Sequence, residues 1–414
     1  MQALPGFVSI YTTMKSVSLP ILSKAGAAAE PPKGWPLLRL GFRPFYIGGA
    51  LVAALLVPLW LAIFLGALPF SPAVPALLWH AHEMLFGFAA AIIIGFLMTA
   101  GKNWTGLATP RGPVLGALAL LWLAARLAGL GGSGQVYALL DVALLPLVAI
   151  IFARLLWRAK NYRNLPLAFI LMLLAASNMV FHLAVAGLLN ISAMTALHAG
   201  LALITMIESV MAGRVIPAFT MAANPGLKLV ASSAVERSAL GLTALALLCW
   251  IFLPTGWLGA LVLVAAALAN ALRLLGWRSG RTLGQSILWI LHAGYAWIAL
   301  ALLLLAAAQV ELLPVSVGVH ALGVGATGGL IIGMVTRTAR GHTGRPLLLS
   351  GAEVLACWLV MTAAASRVLA SLVAPQFYAT LLILAALAWS LAFLIYLWKF
   401  TPWLLQTRLD GKDG

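Results

Sequence analysis

The sequence is dominated by apolar stretches, each long enough to cross a lipid bilayer and separated by short breaks of Gly, Pro and basic residues. At about 20 apolar residues per crossing, the chain predicts twelve spans. Their approximate limits are 45–67, 76–99, 113–131, 135–156, 165–188, 193–214, 236–254, 257–276, 283–307, 314–336, 350–372 and 376–398. With 63% hydrophobic and 8% charged residues among 414, the chain cannot cover a water-soluble surface. The fold class expected is an all-α polytopic membrane protein of about twelve transmembrane helices. It divides into an N-terminal tail at 1–37, the twelve-helix domain at 38–400 and a short tail at 401–414.

The basic residues test this count. If the N-terminus is cytoplasmic, all but Arg126 and Arg367 of the 25 Lys and Arg residues fall on cytoplasmic segments. Adding or dropping one span would destroy that alternation, which is the positive-inside pattern. Both termini are therefore expected in the cytoplasm of a cell whose inner membrane holds the protein. The same pattern accounts for the net charge of +16 without nucleic acid. Cys249 and Cys357 form no CxxC or CxxCH motif, which argues against structural zinc, disulfides and covalently attached haem.

Histidine placement carries the chemical signal. On this topology His80, His82, His182, His198 and His320 lie near the non-cytoplasmic ends of four different spans, within about 10 Å in depth. Imidazole is costly in hydrocarbon without a partner, so a layer of five at one depth points to a metal or haem site. Hydrogen bonds to backbone carbonyls within helix interfaces are the alternative for each ring. His80 and His82 are about 200° apart around a helix, which suits two neighbouring centres, or one ligand and one hydrogen-bonding residue, better than one shared ion. His292 is nearer the middle of its span, and His342 follows the tenth span in a cytoplasmic loop. Glu83 could orient His80 or carry protons, and Glu208, on the span of His198, is a second candidate proton carrier. Asp141 is nearer the outer surface and reads as a hydrated group. The glycines around His320 (Gly318, Gly323, Gly325, Gly328, Gly329 and Gly333) allow close helix packing, or leave room for a flat macrocycle. On the inner side, Arg43, Arg214, Arg337, Arg340, His342 and Arg345 sit in compact motifs; topology explains their charge, and binding of an anionic group is the alternative. The tryptophans read as interfacial anchors.

The segments GFRPFY, WHAHEMLFGFAAAIIIGFLMTAGKNWTG, MAGRVIPAFT and HALGVGATGGLIIGMVTRTARGHTGRPL closely resemble the NnrS family over about residues 38–398. The resemblance implies a bacterial inner-membrane protein of twelve helices containing haem and copper, associated with nitric oxide metabolism, denitrification and nitrosative-stress defence. Carried onto this chain, its motifs include His80, His82, Glu83, Arg214, His320, Arg337, Arg340, His342 and Arg345. His182, His198 and His292 join the ligand candidates through depth alone. The chain lacks the adjacent His-His pair of haem–copper oxidases, so that likeness is an analogy. The expected function is binding or conversion of nitric oxide at a histidine-ligated, non-covalent b-type haem with copper nearby, and with a quinol as a plausible electron donor. The alternatives are a non-catalytic nitric oxide or metal binder or sensor, and a metal or haem transporter.

Overall fold

The computed structural model describes residues 34–230, 232–372 and 375–412; most of the expected N-terminal tail, 1–33, lies outside them. Among the described residues the chain is helical without strands, and twelve helices are long and apolar enough to cross a membrane. They are α1 (Phe42–Phe64), α2 (Ala76–Thr105), α3 (Pro113–Gly131), α4 (Gly134–Arg158), α5 (Tyr162–Val185) and α6 (Ala193–Ala223). The second half comprises α7 (Ser233–Phe252), α8 (Trp257–Gly276), α9 (Ser286–Gln309), α10 (Val315–His342), α11 (Gly351–Ala370) and α12 (Tyr378–Leu404). Each corresponds to one of the twelve spans expected from hydropathy, with ends displaced by a few residues.

Sequential neighbours pack in pairs along most of the chain, and α1 also packs against α12. The first and last spans are thus adjacent. Arg43, at the start of α1, donates to the carbonyl oxygens of Leu404 and Gln406 at 2.6 and 2.9 Å. The helix ends that carry the Lys and Arg loops share one end of the bundle, called here the basic end. The opposite end is nearly uncharged.

The most enclosed spans are α2 and α10, with 78% and 67% of their central windows buried, against 28% for peripheral α7. Both also contain a wide π-helical stretch, at Glu83–Ala89 and Ala321–Gly328, directly after His82 and His320. Such turns are uncommon and occur often at functional sites. The glycines of α10 show why it can sit so deep. A Cβ on Gly318 would fall 2.6 Å from Leu305, and one on Gly325 would fall 2.3 Å from Trp297. On Gly328 it would fall 2.5 Å from Trp389. Gly323 is the exception: it has nothing within 4 Å and faces a cavity. Both sequence readings of this glycine series therefore have a counterpart, close packing at most positions and open space at one.

Polar ties close the basic end. Arg340 forms a two-armed ion pair with Glu353, which also caps the start of α11 through Ser350. Arg273 pairs with Glu236 and donates to Ser209 and Tyr295. Arg337 lies 3.8 Å from the centre of the Phe219 ring and Arg345 4.1 Å from that of Trp403.

Candidate functional site

Two compartments lie side by side at the uncharged end, and α2 separates them. His80 and His82 are separated by one residue in sequence and project to opposite sides of α2, one into each compartment.

The first is a cavity of about 400 Å³ enclosed by α1, α2, α6, α10, α11 and α12. Its walls are almost wholly apolar, and His80, His198 and His320 all line it. These residues are the fifth or sixth of their helices, so about 6–8 Å of rise separates each from the helix start. His80 stacks on Trp60 with ring centres 4.0 Å apart, and its Nδ1 is buried without a hydrogen-bond partner. His320 donates from Nδ1 to the Ser316 carbonyl at 2.7 Å. That bond fixes the tautomer and leaves Nε2 with a free lone pair, the arrangement usual for a metal-bound imidazole. His198 packs against Trp250 at 4.7 Å. Arg367 and Tyr378 also line the cavity, near the uncharged ends of α11 and α12.

The second compartment is a compact polar cluster among α2, α3, α4 and α5. His82 Nε2 lies 2.8 Å from Asn178 Oδ1 and 3.1 Å from Asp141 Oδ2. His182 Nε2 lies 3.0 Å from the same Asp141 oxygen. Asn178 donates to that oxygen at 2.7 Å. On the other ring nitrogen, the Tyr137 hydroxyl is 2.6 Å from His82 Nδ1 and donates to Glu83 at 2.7 Å. Arg126 bonds Glu83 at 2.7 Å and also pairs with Asp141. The donor atoms of His82, Asp141 and His182 lie within 4.8 Å of one another, and all three residues are buried. Glu83 Oε2 is buried without a partner. Arg126 offsets one of the two carboxylates, and His82 faces oxygen atoms from both ring nitrogens, so the other negative charge is left for a proton or a metal ion to balance.

Arg126 and Arg367 are the two basic residues that depart from the sequence's charge alternation. Each is drawn into one compartment. Their departure was the available signal for both, because a guanidinium at that depth needs a local reason. Tyr137, Asn178 and Tyr378 carried no comparable sequence mark. Asp141 is buried and accepts from several partners, so it is not the hydrated group that the sequence suggested. Glu83 turns toward His82 and Arg126 instead of orienting His80.

The remaining expected residues lie elsewhere. His292 is held between the hydroxyls of Thr220 and Ser279, at 3.0 and 2.9 Å, in the half of α9 near the basic end. His342 closes α10 and lies 5.4 Å from the Phe42 ring. Arg214 bonds Asn164, and Arg43, Arg337, Arg340 and Arg345 make the ties described above. Glu208 is the central residue of α6, accepts a 3.2 Å bond from Thr327, and belongs to neither compartment's wall.

A profile of the NnrS protein family matches residues 36–408, nearly the whole chain. The chain belongs to the NnrS family. No individually curated protein matches it. Membership in NnrS supports a role in the nitric oxide response for this multi-pass membrane protein. Its buried His82–Asp141–His182 group has the donor set of a metal site.

Proposed function

We propose that this NnrS-family protein is a haem- and copper-containing inner-membrane protein that binds or converts nitric oxide, with its redox centres at the uncharged, periplasm-facing end. The observation that carries this reading is the convergence of three imidazoles from three separate spans on one apolar cavity.

The cavity's chemistry fits a haem. Its volume lies within the roughly 300–1,000 Å³ typical of sites for sizeable organic ligands. His320 offers an imidazole already fixed in the ligating tautomer, and His80 offers another whose Nδ1 has no other partner. Gly323 leaves open space beside them. Arg367 and Tyr378 supply polar groups suited to a macrocycle's carboxylates. A bound haem would supply an iron centre that takes up nitric oxide and changes oxidation state. The chain's own contribution is to hold the imidazoles, exclude water with apolar walls and admit a small lipid-soluble molecule.

The second compartment fits copper by donor type, since two imidazoles and a carboxylate suit that metal. Its residual negative charge calls for one balancing positive charge, a metal ion or a proton. Glu83 and Glu208 are the acids placed to handle protons for these centres.

Optical and EPR spectra of the purified protein, with metal analysis, test the proposal. Replacing His80, His198 or His320 by Ala should remove or perturb haem; replacing His82 or His182 should remove copper. Full cofactor content in all five variants would overturn it. Anaerobic nitric oxide consumption with a reductant then separates turnover from binding, because a binder stops after one equivalent.

A further inference from the structure

Five acidic side chains lie within the membrane-spanning helices. Glu83 and Asp141 are matched by Arg126, Glu236 by Arg273 and Glu353 by Arg340. Glu208 differs. Among the described residues it has no basic partner, and its carboxylate accepts from the Thr327 hydroxyl at 3.2 Å. It is also midway along the 31-residue α6, about 22 Å of helix rise from either end. Nothing there supplies a counter-charge, so structural ion pairing does not explain it. Intramembrane acids without such a reason mark functional paths.

Its surroundings give the path a shape. Glu208 lines a second, smaller cavity of about 70 Å³, on the basic-end side of the histidine cavity, with Tyr46, Met211, Ala212, Ile331 and Met334. A water needs roughly 10–15 Å³ of such space, so several fit. Tyr46 is four residues from the start of α1 at the basic end, about 6 Å of rise. Its hydroxyl is buried, with the Thr338 side chain as a polar neighbour, and the Tyr396 hydroxyl is buried as well. Above Glu208, Thr327 lines the histidine cavity itself while donating down to the Glu208 carboxyl. Thr327 falls within the wide turn of α10, the part of that helix whose bonding is already irregular.

We propose that Glu208 relays protons from the basic end of the bundle to the histidine-lined cavity, by way of the Tyr46 cavity below and the Thr327 hydroxyl above. The carboxyl takes a proton from water in the lower cavity. Once the carboxyl is protonated, the Thr327 hydroxyl turns its own proton toward an acceptor in the upper cavity and its oxygen accepts from Glu208, so the Thr327 proton moves on as the Glu208 proton replaces it. Each passage takes in one proton and hands on one, so both groups end as they began. Glu83 is tied to Arg126 and Tyr137 and serves the other compartment. The relay's purpose rests on the reading that the upper cavity houses redox chemistry, whereas its route does not.

Infrared spectroscopy of the full-length protein in lipid nanodiscs tests the route without any cofactor. A carboxylic C=O band, assigned by its loss in Glu208→Gln, should shift rapidly in D2O. Filling the lower cavity with Ala212→Leu, or with Ile331→Phe should the first variant fold poorly, should slow that exchange at least tenfold. Thr327→Val should leave it unchanged. In cofactor-loaded protein, proton uptake on reduction should slow at least tenfold in Glu208→Gln and in Thr327→Val. Exchange slowed by Thr327→Val and not by the lower-cavity variants would overturn the route, as would wild-type uptake in Glu208→Gln. Failure to load a cofactor would count against the haem reading, while the exchange measurements would still judge the relay.

Discussion

Arg126 shows how much one side chain can decide at membrane depth. It pairs with two carboxylates from different spans, and a buried ion left without its partner costs about 3–5 kcal/mol. Arg126→Gln should therefore destabilise the protein by about that amount in a detergent melting series. Adding Asp141→Asn should recover much of the loss, because it removes one of the stranded charges; a double-mutant cycle measures the recovery. The two histidines of α2 should behave independently. His82→Ala is expected to lose metal from the polar cluster while preserving the cavity's optical spectrum, and His80→Ala to do the reverse, as metal analysis alongside spectra would report. That division was legible in the sequence from the angle between positions 80 and 82. The partners of each ring were not, since Trp60 reaches His80, and Tyr137 and Asn178 reach His82, from other helices.

At the scale of the element, α10 combines tight packing with a gap. Gly325→Val places a branched side chain where a Cβ already falls 2.3 Å from Trp297. Overpacking of this kind typically costs about 1–3 kcal/mol, so its melting temperature and yield should drop. At Gly323 an added Cβ meets no neighbour, so Gly323→Val should leave the melting temperature close to wild type. It extends into the cavity instead, and should alter cofactor content or spectrum. Equal destabilisation by both substitutions would contradict the packing described. Hydropathy located every span because burying the backbone in lipid leaves the helix as the available structure. It could not reveal the wide turns after His82 and His320. Those depend on how α2 and α10 are clasped by neighbours, which periodicity within one helix does not encode.

For the whole molecule, the charge pattern makes a directional prediction. Cysteine introduced at exposed Ser71, in the uncharged loop before α2, should react with a membrane-impermeant thiol reagent added to intact cells or spheroplasts. Cysteine at exposed Ser232, ahead of α7 at the basic end, should react only after the membrane is opened; the opposite result would invert the topology. The sequence made this end-to-end asymmetry plain, yet it mistook Asp141 for a hydrated surface group, since depth along a helix says nothing of which neighbours close over it. The contact between α1 and α12 has a consequence for biogenesis. The histidine cavity takes walls from both the earliest and the latest spans to emerge from the ribosome. Its enclosure is unfinished until α12 has emerged, so the proposed haem would load only after that point, and chains cut short before α11 should enter the bilayer without binding it.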